Sequence, residues 1–339
     1  MMELTDRHAR FLLRLISRRA RLYTEMVPTA ALLRRDAERF LRHSPAEQPL
    51  ALQVGGADPA ELAACARLAE AEGYDEINLN VGCPSDRVRA GRFGACLMAH
   101  PEVVAEGVAA MSAATRIPVT VKTRIGLDRD DSMDRLIALV ERCESAGCGT
   151  FIVHARNAWL NGLSPSENRE IPPLRYEVVY ALKRSRPGLR IVVNGGIKGL
   201  LAIDHHLERV DGVMLGREAY YNPMSLADVD RRLFGAQEAP RSAMEVVLAY
   251  VDYMEAELRC GTPLRIMTQH LIPIFRDAPG ARRWRRTLSE QARQPGAGLE
   301  VLHAALAAVA GTAEADYQSA PRAATGQIAS TRPSRTPMM

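Results

Sequence analysis

The 339-residue chain is poor in aromatic residues, at 5%, with only 2 Trp, while its hydrophobic content of 47% and charged content of 25% are ordinary for a globular protein. It holds 6 cysteines, Cys65, Cys83, Cys96, Cys143, Cys148 and Cys260, in neither paired metal-ligand spacing nor disulfide density. That argues against a zinc site or a disulfide-stapled fold and suits a reducing compartment. No run reaches the roughly 18 apolar residues of a membrane span. The N-terminus, acidic at Glu3 and Asp6, does not read as a secretory signal, so a cytoplasmic protein with no membrane partner is expected. The net charge of +4 permits a polyanionic partner without demanding one, and the placement of the arginines matters more than their sum.

What the chain does have is alternation. A helix is expected from Thr5 or Asp6 to Ser17, on the apolar face Phe11, Leu12, Leu15 and Ile16. Strand-like runs follow at Arg21 to Thr24, Leu50 to Val54, Glu76 to Val81, Val119 to Arg124, Phe151 to His154, Ile191 to Asn194 and Val213 to Leu215. Helical patterns separate most of them, at Pro59 to Glu72, Pro101 to Ala114, Ser132 to Ala146 and Leu174 to Arg184. Strand and helix in regular alternation predict a parallel sheet. Seven strands are one short of an eight-stranded barrel, so either a (β/α)8 TIM barrel lacks its first strand or the sheet is open and doubly wound. Polar and glycine-rich residues follow the strand ends, which is how a barrel builds one mouth from many loops, and this favours the barrel.

From about Gly235 the alternation stops, and Met244 to Leu258, Leu264 to Phe275, Arg282 to Arg293 and Leu299 to Val309 all carry helical periodicity. The expected organisation is a catalytic barrel over 1–235, a smaller all-helical domain over 240–311 and a disordered tail over 312–339, rich in Ser, Thr, Pro, Ala and Arg.

The chemistry-bearing residues gather at strand ends. Cys83 stands in the Gly82-Cys83-Pro84 turn that stops the run Glu76 to Val81; a lone cysteine is more often a small buried hydrophobe than a reactive group. Gly195-Gly196 and Gly216-Arg217 follow the last two strands, where backbone N–H groups of this architecture meet phosphate, and the Arg217 guanidinium can chelate its oxygens. Lys122 falls near the end of a strand with buried inward positions and wants an electron-rich ligand, such as a flavin ring whose reduced form its charge would stabilise. Gln53 and His154, at equivalent strand ends, can hydrogen-bond the same ring. Arg87, Arg89 and Arg92 flank the cysteine loop, and Arg282, Arg283, Arg285 and Arg286 surround Trp284 on one helix, a basic run that on composition alone is more often a solvated helix face than a contact to a polyanion.

Taken together, Asn78-Leu-Asn-Val-Gly-Cys-Pro-Ser85, Gly91-Arg-Phe-Gly-Ala-Cys-Leu-Met98, Val121-Lys-Thr-Arg-Ile-Gly126, Val153-His-Ala-Arg156 and Val193-Asn-Gly-Gly-Ile197 resemble the tRNA-dihydrouridine synthases. The resemblance runs from Met1 to about Ala292. Ala158 to Pro165, Asn168 to Pro173 and Pro279 to Arg286 are similar to the family's A subgroup, which acts on D-loop uridines at tRNA positions 20 and 20a. It implies a TIM-barrel enzyme that uses FMN and NADPH to reduce the C5=C6 bond of a tRNA uracil. By motif, Met1, Gln53, Lys122, His154, Asn194, Gly195, Gly196, Gly216 and Arg217 would hold FMN, and Cys83 would give the proton to C5 after hydride reaches C6. An unperturbed thiol, of pKa about 8.5, is mostly protonated at neutral pH and can act as that acid. Asn80 is expected at the uracil edge, and Ser166, Arg169, Arg282 and Arg285 at tRNA, although Ser166 stands where the subgroup implies a lysine.

No stretch identifies an NADPH site, and nicotinamide is expected on the same open flavin face that the uridine takes later. Family members carry an Ala-Pro-Met-Met strand under the flavin, of which this chain has only Met1 and Met2, so a mis-assigned start is expected. Two other readings are a non-catalytic tRNA-binding protein that has lost its flavin, and a flavin barrel acting on a free small molecule. No protein partner is implied, and a monomer is expected.

Overall fold

The computed structural model describes residues 1, 4–34, 37–130 and 132–317, leaving out the side chains of Arg87, Arg89 and 310–317. Seven β-rich runs become strands: β1 (Leu22–Pro28), β2 (Leu50–Gly55), β3 (Glu76–Asn80), β4 (Val119–Arg124), β5 (Thr150–His154), β6 (Arg190–Asn194) and β7 (Gly212–Met214). They form one sheet in the order β1-β2-β3-β4-β5-β6-β7, each strand parallel to its chain neighbours. Strictly sequential parallel order with intervening helices is the wall of a (β/α)8 barrel, here with seven strands among the described residues.

Side chains alternate along each strand. Ile77 and Leu79 on β3 and Val119 and Val121 on β4 are buried on one face, while Glu76, Asn78 and Asn80, and Thr120, Lys122 and Arg124, occupy the other. An aliphatic layer thus lies between strands and helices, and a polar face is left along the strands. The helix Pro59–Ala71 starts where Asp58 Oδ1 accepts the N–H groups of Ala60 and Glu61, with Pro59 in the first turn. The helix Arg7–Ile16 is tied to the segment before β2. Arg10 Nε donates to buried Glu47 at 2.6 Å, and Arg14 donates to the carbonyls of Ala20, Glu47 and Pro49.

The chain divides into two compact units, Met1–Arg14 with Arg18–Glu218, and Leu15–Ser17 with the chain from Ala219 onward. The division at Glu218 and Ala219 is earlier than the expected 235–240, because residues after β7 take their partners from the helical part: Tyr220 Oη lies 3.0 Å from His270 Nδ1. Leu15–Ser17 joins the same unit through Ser17, which donates to Asp230, and through the Leu15 carbonyl, which accepts from Arg241 Nη1 at 3.2 Å.

The second unit is built on the helices Ala243–Arg259, Leu264–Leu271, Ala281–Gln291 and Leu299–Tyr317. Ser242 and Glu245 form a capping box at the first of these, and Trp284 is fully buried, donating Nε1–H to the Leu271 carbonyl at 3.2 Å. The last helix runs to Tyr317 and so takes in the first residues of the segment expected to be disordered, among which Ala313, Glu314 and Ala315 are helix formers. The rest of that expected tail, 318–339, lies outside the described residues.

Candidate active site

In a parallel sheet, residues in register on adjacent strands stand side by side. Gln53 is in register with Asn78, Asn80 with Lys122, Arg124 with His154, and His154 with Asn194. Side chains far apart in sequence are therefore brought to one set of strand ends.

The chain leaves β3 in a turn organised by Asn80, whose Oδ1 accepts the N–H groups of Gly82 and Cys83, both at 3.0 Å. The Cys83 carbonyl accepts from Ala95 N–H at 2.9 Å, and its half-exposed thiol donates to Ser85 Oγ at 3.5 Å. Burial pushes Cys65, Cys143 and Cys148 up to about 12, which makes them inert core residues. Half-buried Cys96 is also pushed up by burial and donates to the Phe93 carbonyl at 3.0 Å.

Around this turn the groups are cationic. Lys122 Nζ donates to Asn194 Oδ1 at 3.2 Å, and Asn194 Nδ2 donates onward to the Met214 carbonyl at 2.8 Å. Burial, with Arg124 adding, brings Lys122 down to about 8, and Cys83 opposes the shift. His154 is pushed well below the ordinary histidine range, by burial first and then by Arg124, Lys122, Arg156 and Arg169, so it is a neutral imidazole. Burial lowers Arg124 to about 10. Its Nε donates to the Gly82 carbonyl at 3.0 Å, and its Nη1 to the carbonyls of Asn157 at 3.0 Å and Asn168 at 2.8 Å. Cations that depress one another's proton affinity suit an anionic or electron-rich ligand.

The turn after β6 is one that glycine alone readily adopts. Gly195 and Gly196 adopt φ of 116° and 65°, and a Cβ on them would stand 2.5 Å from His154 Cδ2 and 2.6 Å from Leu174 Cδ1. Tyr176 Oη donates to the Gly195 carbonyl at 2.5 Å. Arg156, electrostatically coupled to Arg217 and Tyr176, donates Nη1 to the Pro172 carbonyl but leaves a buried Nε without a hydrogen bond. An orphaned, buried guanidinium N–H fits a phosphate-bearing cofactor.

Two expected cofactor residues are placed differently from a simple cradle. Arg217 donates to Glu170 Oε1 at 2.6 Å and to the Arg169 carbonyl at 3.1 Å, so its guanidinium grips a neighbouring loop. Met1 Sδ lies 3.4 Å from where a Gly216 Cβ would stand. Its ammonium donates to Thr5 Oγ1 at 2.7 Å and is lowered to about 6 by burial, with Glu25 opposing.

The loop between β5 and the helix Tyr176–Ser185 holds Ser166 and Arg169, both exposed. Fully buried Asn168 shapes it, accepting from Trp159 N–H at 2.7 Å and donating to the carbonyls of Trp159 and Leu163. In the second unit, Arg282 is exposed and Arg285 half-exposed on the helix anchored by Trp284. The first unit therefore assembles Cys83, Asn80, Gln53, Lys122, His154, Asn194 and the glycine turn.

Arg124, Arg156, Asn78, Thr120 and Glu76 are site residues that sequence reasoning did not single out. Arg124 had a signal: it follows Lys122 by two positions, hence on the same strand face.

The profile of the family described as Dihydrouridine synthase (Dus) matches residues 1–310. The chain belongs to the dihydrouridine synthase family. It is 55% identical over 309 residues to the tRNA-dihydrouridine(20/20a) synthase of Shewanella oneidensis, covering 91% of this chain and 92% of that one. It is 54% identical over 310 residues to the protein of the same name from Vibrio cholerae, covering 91% and 94%. Over 311 residues it is 54% identical to that from Escherichia coli K12, covering 91% and 90%. Among solved structures, a 2-naphthoyl-CoA reductase complex superposes with a TM-score of 0.52 at 12% identity, covering 67% of this chain and 47% of that one, a likeness of fold. No helix among the described residues of this family member is long and apolar enough to cross a membrane.

Proposed function

We propose that the protein reduces the C5=C6 bond of uridine in tRNA to 5,6-dihydrouridine, at D-loop positions 20 and 20a, the activity for which its relatives are named. The reading includes FMN as the flavin, NADPH as its reductant, and a monomer working in the cytoplasm, where tRNA is found. Lys122, His154, Asn194, the Gly195-Gly196 turn and Arg156 would hold the FMN, with Gln53, Gly216, Arg217 and Met1 around it. When bound and reduced, that cofactor supplies the hydride that goes to uracil C6.

The chain's own residues supply the rest. Cys83 gives its thiol proton to C5 as charge builds there, and the thiolate regains a proton from solvent, which balances the addition of one hydride and one proton. Asn80 fixes the turn that carries the thiol and keeps a carboxamide N–H for the uracil edge. Neutral His154 and cationic Lys122 donate hydrogen bonds where negative charge would be held. Ser166 and Arg169, and on the other unit Arg282 and Arg285, contact tRNA phosphates while the base is drawn out of the folded RNA.

The observation that carries this reading is the half-exposed thiol held on the same strand ends as Lys122 and Asn194. Unmodified tRNA incubated with protein, FMN and NADPH should show new dihydrouridine at 20 or 20a by mass spectrometry, collapsing in Cys83→Ala. Wild-type protein that binds tRNA and makes none would overturn the reading.

A further inference from the structure

Beneath the cysteine turn a chain of hydrogen bonds crosses the polar face of four strands. Cys83 N–H donates to Asn80 Oδ1 at 3.0 Å, and Asn80 Nδ2 donates to Gln53 Oε1 at 2.9 Å. Gln53 Nε2 donates to Asn78 Oδ1 at 2.9 Å, and Asn78 Nδ2 donates to Thr120 Oγ1 at 2.8 Å. Thr120 Oγ1 donates to Glu76 Oε1 at 2.6 Å. Glu76 also accepts from Tyr23 Oη at 2.8 Å and from Arg21 Nη1 at 2.6 Å. Glu76, Asn78, Thr120, Gln53 and Asn80 are all buried.

The carboxylate sets the direction of every link. An ionised carboxylate can only accept, so the Thr120 hydroxyl must donate to Glu76 and accept from Asn78. The Asn78 oxygen then faces Gln53, the Gln53 oxygen faces Asn80, and the Asn80 oxygen faces the N–H groups of Gly82 and Cys83. An amide flipped at any point would set two donors or two acceptors against each other. Arg21 and Tyr23 both donate to the terminal carboxylate and hold it in place. As a result Asn80, whose oxygen already accepts two N–H groups, has only an N–H left to offer a ligand, and Gln53 presents its second N–H beside one remaining lone pair of its oxygen.

We propose that Glu76, Thr120 and Asn78 are positioning residues for uridine reduction, a polar chain that fixes both the Cys83 turn and the donor character of Gln53 and Asn80. The ligand it suits is a ring that presents carbonyl oxygens to those two donors, as uracil and a flavin do, and a ring offering an amino group to Asn80 meets no acceptor. None of the three residues is needed to touch substrate or cofactor. The proposal rests on the assigned reduction of tRNA uridine, and extends it to residues that act through Asn80 and Gln53.

Thr120 allows shape to be separated from hydrogen bonding. Thr120→Val keeps the volume and removes the hydroxyl, whereas Thr120→Ser keeps the hydroxyl and removes a methyl. The measurement is stopped-flow reoxidation of NADPH-reduced holoenzyme by unmodified tRNA across tRNA concentrations, with FMN affinity measured separately by fluorescence titration. Thr120→Val should lower the limiting rate about tenfold or more at a half-saturating tRNA concentration within twofold of wild type, and Thr120→Ser should stay within about threefold. Glu76→Gln, whose amide lets the chain run in reverse, should also lower the limiting rate and stands in if Thr120→Val does not fold. Wild-type rates in both Thr120→Val and Glu76→Gln, or a Thr120→Ser loss as large as that of Thr120→Val, would overturn the positioning role alone. A reduced wild type that tRNA fails to reoxidise would overturn the functional reading itself.

Discussion

Lys122 Nζ meets Asn194 Oδ1 across the sheet at 3.2 Å, an ammonium held by a neutral amide. Burial lowers its proton affinity, to about 8 from an ordinary 10.5. Between those values the unfolded chain keeps a proton that the folded one has released, so this residue's contribution to stability rises with pH through the window. Below it, the buried charge is a cost. Thermal unfolding of FMN-free protein should therefore show stability from this source rising between pH 8 and 10.5, and Lys122→Met should abolish that rise. The same variant should bind FMN about tenfold more weakly or worse, as read by fluorescence titration, because it removes the cation opposite the ligand.

Cys83→Ala should reduce single-turnover dihydrouridine formation by about a hundredfold or more, the usual contribution of a general acid. FMN affinity should stay within about twofold. A loss of both in parallel would mean that the residue packs the flavin rather than protonating the base.

Gly195→Ala places a methyl 2.5 Å from His154 Cδ2 at a φ of 116°, a backbone region that alanine rarely enters. The expected destabilisation is about 1–3 kcal/mol. It should appear as a lower unfolding temperature together with loss of copurifying flavin.

Arg124 ties three backbone carbonyls, of Gly82, Asn157 and Asn168, in one planar fork. Lysine cannot reproduce that geometry. Arg124→Lys should lower turnover about tenfold and speed limited proteolysis between 157 and 172, because the cysteine turn and the Asn168 loop lose their shared clasp.

Arg282→Ala and Arg285→Ala should weaken tRNA binding and each lower the salt slope of log affinity by about 1. Flavin reduction by NADPH without tRNA should be unchanged in both.

The strands and most helices could be read from the sequence because each has an unbroken pattern: Val119–Arg124 and Pro101–Ala114 have the boundaries expected. β1 was read short. It continues through Glu25 to Pro28, but its register against β2 shifts between Tyr23 and Met26, which breaks the two-residue alternation that marks a strand. At the site, Cys83, Lys122 and His154 stood out as polar groups at strand ends. Glu76, Asn78 and Thr120 did not, since a buried Asn within an apolar run acquires meaning only from cross-strand partners, and Thr120 lies 42 positions from Asn78. The grip of Arg217 on Glu170 was equally hidden, at a separation of 47.

The strictly sequential strand order bears on how the chain is made. Each strand pairs with the one synthesised just before it, so the sheet can grow unit by unit as the polypeptide leaves the ribosome. The end of the first helix follows another schedule. Ser17 has its partner in Asp230 and Leu15 in Arg241, so a segment among the earliest translated waits for the late helices before it is placed. Cutting the gene at residue 219 would leave the helical unit without a piece that translation delivered first.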